Sequence, residues 1–277
     1  MRNKIAFIGV GNMADAIISG ITSKEENPTQ WNNIILYNRH RQKAEKYAEH
    51  GAVIVDSLTE AVECADCVIL SIKPQNFPEV LPLLSSCKSV KEKLFITIAA
   101  GIKTKTVSKA ACGAPVVRVL PNTPMLIGKG VSAICRTDNV SDDDYMFACN
   151  IFSSAGSILQ ISEDEMNRII CVTSSSPAYI FTVIDAMYRG AYLQGLIPEG
   201  DDAKSKEILD SICDTIIGSA MLMKMQNKTP GEQICAVASK GGTTERALAE
   251  LNENHISDII VSAMQKCTDR ADELSKS

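Results

Sequence analysis

The sequence has no run of basic residues and no long apolar run. Its 28 lysines and arginines are outnumbered by 33 aspartates and glutamates, which gives a formal net charge of −5. A surface that binds phosphate polymers must be basic, and a helix that spans a bilayer needs about 20 apolar residues. We therefore expect neither a nucleic-acid-binding protein nor a membrane protein. The apolar stretch in MRNKIAFIGV is too short for a signal peptide, so we expect a cytoplasmic protein.

Histidine is also scarce, with three residues in the chain, whereas cysteine is present ten times. The cysteines are scattered singly through apolar patterns, as expected of small buried side chains. Only Cys64 and Cys67 form a CxxC pair, and a zinc site usually needs a second pair or histidines at suitable spacing. We predict no metal site and interpret the pair as packing residues, with zinc or redox use as the alternative.

The 277 residues, 45% of them hydrophobic, are enough for two domains. In the first half, short β-branched runs alternate with helical patterns. The predicted strands are residues 4–9, 33–38, 52–55, 67–72, 94–99 and 116–120, and the helical patterns between them include residues 12–24, 40–50 and 76–86. This alternation predicts βαβ units and a mostly parallel sheet. Strands at 130–136 and 157–161, around a helix near 141–155, are predicted at the sheet edge.

The pattern changes after Ile161, because the apolar spacing becomes three to four residues and no convincing strand follows. We therefore predict an α/β domain over residues 1–161 and an all-α domain over residues 162–277. Ser162 and Glu165 form a predicted capping box that begins a helix, with Ile161 and Met166 placed as a hydrophobic staple. The further predicted helices are residues 177–195, 202–227, 231–238, 243–253 and 256–274.

A glycine-rich segment, GVGNMA, joins the first predicted strand to the first helix. Gly9 permits a tight turn, Gly11 lets the backbone approach a pyrophosphate, and Ala14 allows close helix packing. Free N–H groups at the start of the helix suit phosphates. The segment predicts a dinucleotide site, and the alternative is an ordinary tight turn.

Asn38 and Arg39 stand at the end of the second strand, where an NAD-dependent enzyme has Asp or Glu for the ribose. A guanidinium suits the 2′-phosphate of NADP, because it offers a fork of donors and a permanent charge. The alternative interpretation is that these polar residues only form the solvent-exposed start of a helix. Two further loops, residues 72–74 and 99–101, follow strands at the edge where doubly wound sheets bind ligands. They are also interpreted as cofactor loops, and the alternative is that either is a plain strand exit.

Further motifs appear later in the chain: Arg118 with PNTP at 121–124, SSSPAY at 174–179 and KGGTT at 240–244. Together with the loops above, they make the sequence resemble the pyrroline-5-carboxylate reductase family over essentially its whole length. The resemblance implies a Rossmann-type domain followed by an all-α dimerisation domain. It also implies reduction of a cyclic imine to L-proline with NADPH or NADH, the last step of proline biosynthesis. The expected assembly is a homodimer or a higher assembly of dimers.

The resemblance also implies two sets of site residues. The expected cofactor residues are Ile8, Gly9, Gly11, Asn12, Met13, Asn38, Arg39, Ile72, Lys73, Pro74, Ala99, Ala100 and Gly101. The expected substrate residues are Val237, Ser239, Gly241, Gly242, Thr243 and Thr244, with Thr244 as the catalytic residue.

The substrate segment suits a carboxylate without any charged side chain. The N–H groups of Gly241 and Gly242 are expected to be unobstructed, and the helix that begins near Thr243 adds further donors. The Thr244 hydroxyl would then hydrogen-bond the ring nitrogen of the imine and help its protonation. The alternative is that Thr243 or Thr244 only caps the helix.

The sequence departs from the family pattern at two places: Ser174-Ser175-Ser176 replaces GSG, and Lys240 replaces proline. These changes leave a non-catalytic dinucleotide-binding paralogue as one alternative function. A β-hydroxyacid dehydrogenase is the other. Those enzymes place a lysine on the first long interdomain helix, and residues 173–184 contain none. An imine needs less acid catalysis, because its nitrogen can be protonated in solution.

Overall fold

The computed structural model describes residues 2–24 and 28–275, so residues 1 and 276–277 at the ends of the predicted domains lie outside the described part. The chain divides into two compact units. The first comprises residues 1–177 and 266–277, and the second comprises residues 178–265. The domain boundary between residues 161 and 162 stays a prediction.

An eight-stranded sheet forms the centre of the first unit. Its strands are β1 (Ile5–Ile8), β2 (Ile34–Tyr37), β3 (Val53–Ile54), β4 (Cys67–Leu70), β5 (Leu94–Thr97), β6 (Val116–Leu120), β7 (Gly130–Arg136) and β8 (Gly156–Gln160). Their order is β3-β2-β1-β4-β5-β6-β7-β8, and every neighbouring pair is parallel except β6 with β7. The predicted mostly parallel sheet is confirmed, and so are the two added strands at its edge.

Helices cover both faces of this sheet. They are α1 (Asn12–Thr22), α2 (Gln42–Glu45), α3 (Leu58–Cys64), α4 (Phe77–Leu84), α5 (Thr104–Ala110) and α6 (Asp142–Ser153). One apolar cluster contains residues of α1 and α6, and a second contains residues of α3, α4 and α5. Every residue of β1, β4, β5 and β6 is buried, as expected of strands covered on both faces.

The single helix predicted over residues 40–50 is wrong. The chain instead forms the short α2 and a 3₁₀ turn at Ala48–His50, which Gly51 ends with a φ of 99°. The Tyr47 hydroxyl donates to Asp15 at 2.8 Å, and the Tyr47 and His50 rings both stack on Trp31. These tertiary contacts replace the regular helical spacing that the sequence pattern suggested.

The strand register places four loops at one edge of the sheet. Ile8, the last residue of β1, pairs with Tyr37 at the end of β2 and with Leu70 at the end of β4. Leu70 in turn pairs with Thr97 at the end of β5. The four loops that the sequence assigned to the cofactor therefore leave the sheet side by side.

The segment after β8 begins as predicted, with the capping box of Ser162 and Glu165 present. It continues as a 3₁₀ turn (Glu163–Glu165), α7 (Met166–Ile169), a π-helical turn (Ile170–Ser174) and α8 (Ser176–Leu193). The remaining helices are α9 (Asp202–Met225), α10 (Pro230–Val237), α11 (Thr243–Glu253) and α12 (Ile256–Leu274), which agree with the predicted pattern.

The helices of the second unit carry large apolar side chains that remain exposed in the single chain. Met221, Met225, Val237 and Val261 are 56%, 81%, 67% and 66% exposed. In α9, only Ile212 is buried. Exposed apolar side chains in this number are typical of helices that pack against another molecule.

Candidate active site

Gly9 allows the first loop to turn sharply against its neighbours. Its N–H donates to the Tyr37 carbonyl at 2.8 Å, and its φ is 98°. A Cβ atom at this position would lie 2.8 Å from Ile72 Cγ2 and 2.9 Å from the Ser71 carbonyl oxygen. Only glycine meets both the backbone and the steric requirement.

Gly11, unlike Gly9, has open space around it. It is the N-cap residue of α1, with extended backbone (φ −130°, ψ −178°), and no side chain caps the helix there. A Cβ atom on Gly11 would have nothing within 4 Å. The first N–H groups of α1, which include those of Asn12 and Met13, lack partners within the helix and are suited to an anion.

Asn38 holds the glycine loop in place. Its Oδ1 accepts a hydrogen bond from the Val10 N–H at 2.9 Å, and its Nδ2 donates to the His40 carbonyl at 2.8 Å. The sequence analysis assigned this residue to the cofactor alone. Its amide links the loop after β1 to the turn that carries Arg39, so it also has a structural role.

A cleft of about 300 Å³ opens along these loops. The predicted cofactor residues that line it are Ile8, Gly9, Gly11, Asn38, Arg39, Ile72 and Lys73. Lys43, Ser71 and Glu79 also line it, although no sequence motif predicted these three residues. The other predicted cofactor residues do not line it: Asn12 and Met13 are the first residues of α1, Pro74 follows Lys73, and Ala99, Ala100 and Gly101 lie in the loop after β5.

The charges in the cleft fit a phosphorylated dinucleotide. Arg39, Lys43 and Lys73 line it, and the amides at the start of α1 lie at its edge. The Arg39 guanidinium also has an acidic partner, because Nη1 lies 3.2 Å from Glu79 Oε2. The residues present can therefore hold a pyrophosphate and a ribose phosphate.

Replacing Gly11 with Ala should weaken NADPH binding by on the order of tenfold and leave stability nearly unchanged, because the new methyl group enters open space where phosphate approaches. Gly9→Ala should lower the free energy of unfolding by at least about 1 kcal/mol, because of its positive φ and backbone clash. A fluorescence titration and urea unfolding separate the two effects. Unchanged NADPH affinity in Gly11→Ala would contradict the placement of a cofactor phosphate beside Gly11.

A partly buried polar network joins the start of α5 to β6 and to the segment after β8. Glu163 accepts hydrogen bonds from the Thr104 N–H at 2.7 Å and from the Thr104 hydroxyl at 2.6 Å, at the start of α5. Arg118 is 1% exposed, with Nη1 3.6 Å from Glu163 Oε1 and Nη2 donating to Asn167 at 3.2 Å. Burial lowers the pKa of the Arg118 guanidinium, and the Glu163 charge partly offsets this. Arg118, noted in the sequence only as part of the family pattern, has a structural role.

The three serines that depart from the family pattern lie at the π-helical turn. The Ser175 N–H donates to the Ile170 carbonyl at 2.8 Å, which closes the wide turn. Asn122, in the PNTP segment, donates to the Thr173 carbonyl at 3.0 Å. The Ser175 hydroxyl accepts from Cys267 Sγ at 3.3 Å, whereas the buried Ser174 hydroxyl lacks a hydrogen-bond partner. The turn therefore accommodates side chains where the family has glycine.

The predicted substrate segment connects α10 to α11. Gly242 is the N-cap residue of α11, with no side-chain cap, and Thr243 and Thr244 are the first two residues of the helix. Neither threonine is the N-cap residue, so the alternative reading of these residues as caps is wrong.

The amides of the two glycines are not free in this conformation, and that prediction is wrong. The Gly241 N–H donates to Glu245 Oε2 at 2.6 Å, and the Gly242 N–H donates to the Ser239 carbonyl at 2.9 Å. No sequence motif indicated that a carboxylate two residues into the helix would accept from one of them. The first N–H groups of α11 remain without intrahelical partners.

Thr244 also lines a pocket within the second unit. The pocket has a volume of about 400 Å³ and is mainly apolar, with Val237, Ile234, Leu222 and Leu248 among its lining residues. Two of the six predicted substrate residues, Val237 and Thr244, therefore face the same space. The Ser239 to Gly242 turn lies between α10 and α11.

In the described part of the chain, no group of three or more His, Cys, Asp or Glu side chains could hold a metal ion. All ten cysteines are free thiols. Within the CxxC pair, Cys64 is exposed and Cys67 is buried, and burial raises the pKa of the Cys67 thiol. Cys67 therefore fits the packing interpretation, whereas the exposed Cys64 does not.

A Rossmann-type sheet with a glycine loop and a basic cleft at the carboxyl ends of its strands is typical of dinucleotide-binding proteins. Family models agree: residues 4–101 match "NADP oxidoreductase coenzyme F420-dependent", and residues 163–274 match "Pyrroline-5-carboxylate reductase dimerisation". The chain belongs to the pyrroline-5-carboxylate reductase family. It is 32% identical to the pyrroline-5-carboxylate reductase of Corynebacterium melassecola, over 98% of both chains.

Solved structures give the same relationship. The pyrroline-5-carboxylate reductase of Coxiella burnetii superimposes with a TM-score of 0.85 at 27% identity, over 100% of both chains. The Plasmodium falciparum pyrroline carboxylate reductase, solved with NADP bound, has a TM-score of 0.88 at 23% identity over 99% of both chains. The second likeness shows the shared fold.

Proposed function

We propose that this chain reduces 1-pyrroline-5-carboxylate to L-proline with NADPH or NADH, in the cytoplasm, as the last step of proline biosynthesis. The observation that carries the proposal is full-length identity of 32% to a pyrroline-5-carboxylate reductase, in a chain with a dinucleotide cleft. The strand register that brings four predicted cofactor loops to one sheet edge supports the same reading.

Within this proposal the first unit binds the cofactor, which supplies a hydride. The start of α1, with Gly11, Asn12 and Met13, holds the pyrophosphate through backbone N–H groups. Arg39 pairs with the 2′-phosphate of NADPH, and Asn38 fixes the loop beside it. The loops at residues 72–74 and 99–101 enclose the rest of the cofactor.

Residues 162–277 form the proposed dimerisation and substrate domain, and the dimerisation model matches nearly all of them. The substrate residues in this proposal are Val237, Ser239, Gly241, Gly242, Thr243 and Thr244. The carboxylate binds at the first N–H groups of α11, and the Thr244 hydroxyl donates to the ring nitrogen. Glu245 must release the Gly241 N–H if that amide is to bind substrate as well.

The activity is tested by following NADPH absorbance when 1-pyrroline-5-carboxylate is added to the purified protein. We expect oxidation of NADPH and no reduction of NADP with a 3-hydroxy acid. Activity only with the 3-hydroxy acid would identify a dehydrogenase instead. Cofactor binding without either activity would identify a non-catalytic protein and refute the proposal.

Arg39→Ala should raise the Michaelis constant for NADPH by about tenfold or more, which corresponds to roughly 1.4 kcal/mol of lost charged pairing. The constant for NADH should change much less, because NADH has no 2′-phosphate. Steady-state kinetics with both cofactors check this expectation, and added salt should weaken NADPH binding more than NADH binding. Equal effects on both cofactors would show that Arg39 does not bind the 2′-phosphate.

The chain forms a homodimer, as its dimerisation region indicates. We expect light scattering at micromolar concentration to give a dimer or a higher assembly of dimers, because the exposed apolar side chains of α9 need a partner. A monodisperse monomer would contradict this. Ile217→Glu and Met221→Glu, on exposed positions of α9, should weaken the assembly, whereas Lys206→Glu on the same helix should not.

One helical stretch, Glu163–Leu193, has the length and composition of a membrane span. It lies inside the region matched by the dimerisation model. Helices in an apolar subunit interface meet the same compositional test, so a dimer accounts for this stretch and a membrane is not part of the proposal.

A further inference from the structure

Glu79 is an acidic side chain in the otherwise basic part of the cofactor cleft. It lies in the first turn of α4, and its Oε2 is 3.2 Å from Arg39 Nη1. Arg39 and Glu79 are 65% and 70% exposed, so both can change partners without disturbing the core. Both residues line the cleft.

The pairing matters because one guanidinium has two potential acidic partners. A 2′-phosphate that binds Arg39 must displace the Glu79 carboxylate or share Arg39 with it. A ribose phosphate carries between one and two negative charges near neutral pH, and two anions held close together repel. An adenosine ribose with a free 2′-hydroxyl, as in NADH, neither competes with Glu79 for Arg39 nor is repelled by the Glu79 carboxylate.

The other charges near the cleft do not remove this competition. Lys43 and Lys73 line the same cleft and favour phosphate, as Arg39 does. Arg41, two residues along, pairs with Glu45 and Asp56 instead. Among the acidic side chains described here, Glu79 is the one that both lines the cleft and pairs with Arg39.

We propose that Glu79 is a specificity-determining residue: it competes with the 2′-phosphate for Arg39 and thereby narrows the preference for NADPH over NADH. The inference rests on the proposed cofactor site. It concerns the balance between the two cofactors, which the glycine loop and Arg39 alone do not set.

Binding of cofactor fragments tests this independently of turnover. Adenosine 2′,5′-bisphosphate carries the 2′-phosphate, and 5′-AMP is the matched probe without it. For Glu79→Gln, titration calorimetry at low salt should give roughly three- to tenfold tighter binding of the bisphosphate. Binding of 5′-AMP should change by less than about twofold, and the bisphosphate effect should shrink as salt is added.

Glu45→Gln is the matched control. It removes the same charge from an exposed ion pair with a neighbouring arginine, but Glu45 does not line this cleft. We expect it to leave the affinity of both probes nearly unchanged. Equal tightening in Glu45→Gln would assign the effect to net charge and overturn the role of Glu79.

The dependence on Arg39 is tested in the Arg39→Ala background. There, adding Glu79→Gln should tighten bisphosphate binding by less than about twofold, because the partner for which the two anions compete is gone. A gain as large as in the wild-type background would overturn the competition. Weaker or unchanged bisphosphate binding in Glu79→Gln alone would also overturn it.

The failure of this inference can be told apart from failure of the proposed function. If the wild-type protein binds neither fragment nor NADPH, the proposed cofactor site is wrong, and so is the proposed role of Glu79. If the wild-type protein oxidises NADPH with the imine, but Glu79→Gln binds both fragments as the wild type does, the proposed function stands and only the role of Glu79 is wrong.

Discussion

Thr244→Ala is expected to lower turnover by on the order of ten- to a hundredfold, with NADPH affinity and melting temperature nearly unchanged. This is the low end of what one general-acid contact contributes. The structure strengthens the expectation, because Gly242, and not Thr244, is the N-cap residue of α11. Removing the hydroxyl therefore removes no helix cap. Steady-state kinetics and thermal unfolding measure the two effects separately.

Two neighbouring variants sharpen this test. Thr244→Ser retains a hydroxyl and should retain most of the turnover. Thr243→Ala removes an exposed hydroxyl but keeps the backbone N–H, which is the only group of Thr243 that the proposal assigns to the substrate, so turnover should change little. If Thr244→Ala keeps its turnover while its free energy of unfolding falls by about 1 kcal/mol, the threonine has only a structural role and the proton comes from water.

Arg118→Ala is expected to lower the free energy of unfolding by about 3 kcal/mol. The guanidinium is 1% exposed and spans β6, Glu163 and Asn167, so the variant loses its ion pair and leaves a cavity. Urea unfolding at fixed protein concentration gives the value, because the stability of a dimer depends on concentration. A loss below about 1 kcal/mol would contradict the structural role of Arg118.

Glu163→Gln is the matched control for this network. Glutamine keeps the shape and one oxygen that can accept from Thr104, but it removes the charge opposite Arg118. Because Glu163 is partly exposed, we expect a loss of only about 1 kcal/mol. A loss as large as that of Arg118→Ala would assign the main effect to the uncompensated arginine instead of the cavity.

The sheet and the cofactor loops could be predicted from the sequence, because their signals are local. Buried parallel strands appear as continuous apolar runs, and GVGNMA has meaning between a strand and a helix. The carboxyl ends of parallel strands meet at one edge, so the loops at residues 72–74 and 99–101 could be placed beside Gly9.

The remaining features depend on side-chain contacts that no sequence motif indicated. Glu79 lies 40 positions from Arg39, and nothing in the sequence shows that the two pair. The π-helical turn depends partly on Asn122, which is 51 positions from the carbonyl it binds. The amide of Gly241 was expected to be free, because the sequence did not indicate that the Glu245 side chain folds back onto it. Tertiary contacts decide the first two cases, whereas the third is a local side-chain contact over four positions.

Transfer of hydride from the cofactor to the imine can be followed with NADPH deuterated at the transferable position. After a single turnover with 1-pyrroline-5-carboxylate, mass spectrometry should find L-proline one mass unit heavier, in an amount equal to the NADPH consumed. Unlabelled proline, or bound cofactor with no proline formed, would contradict the account.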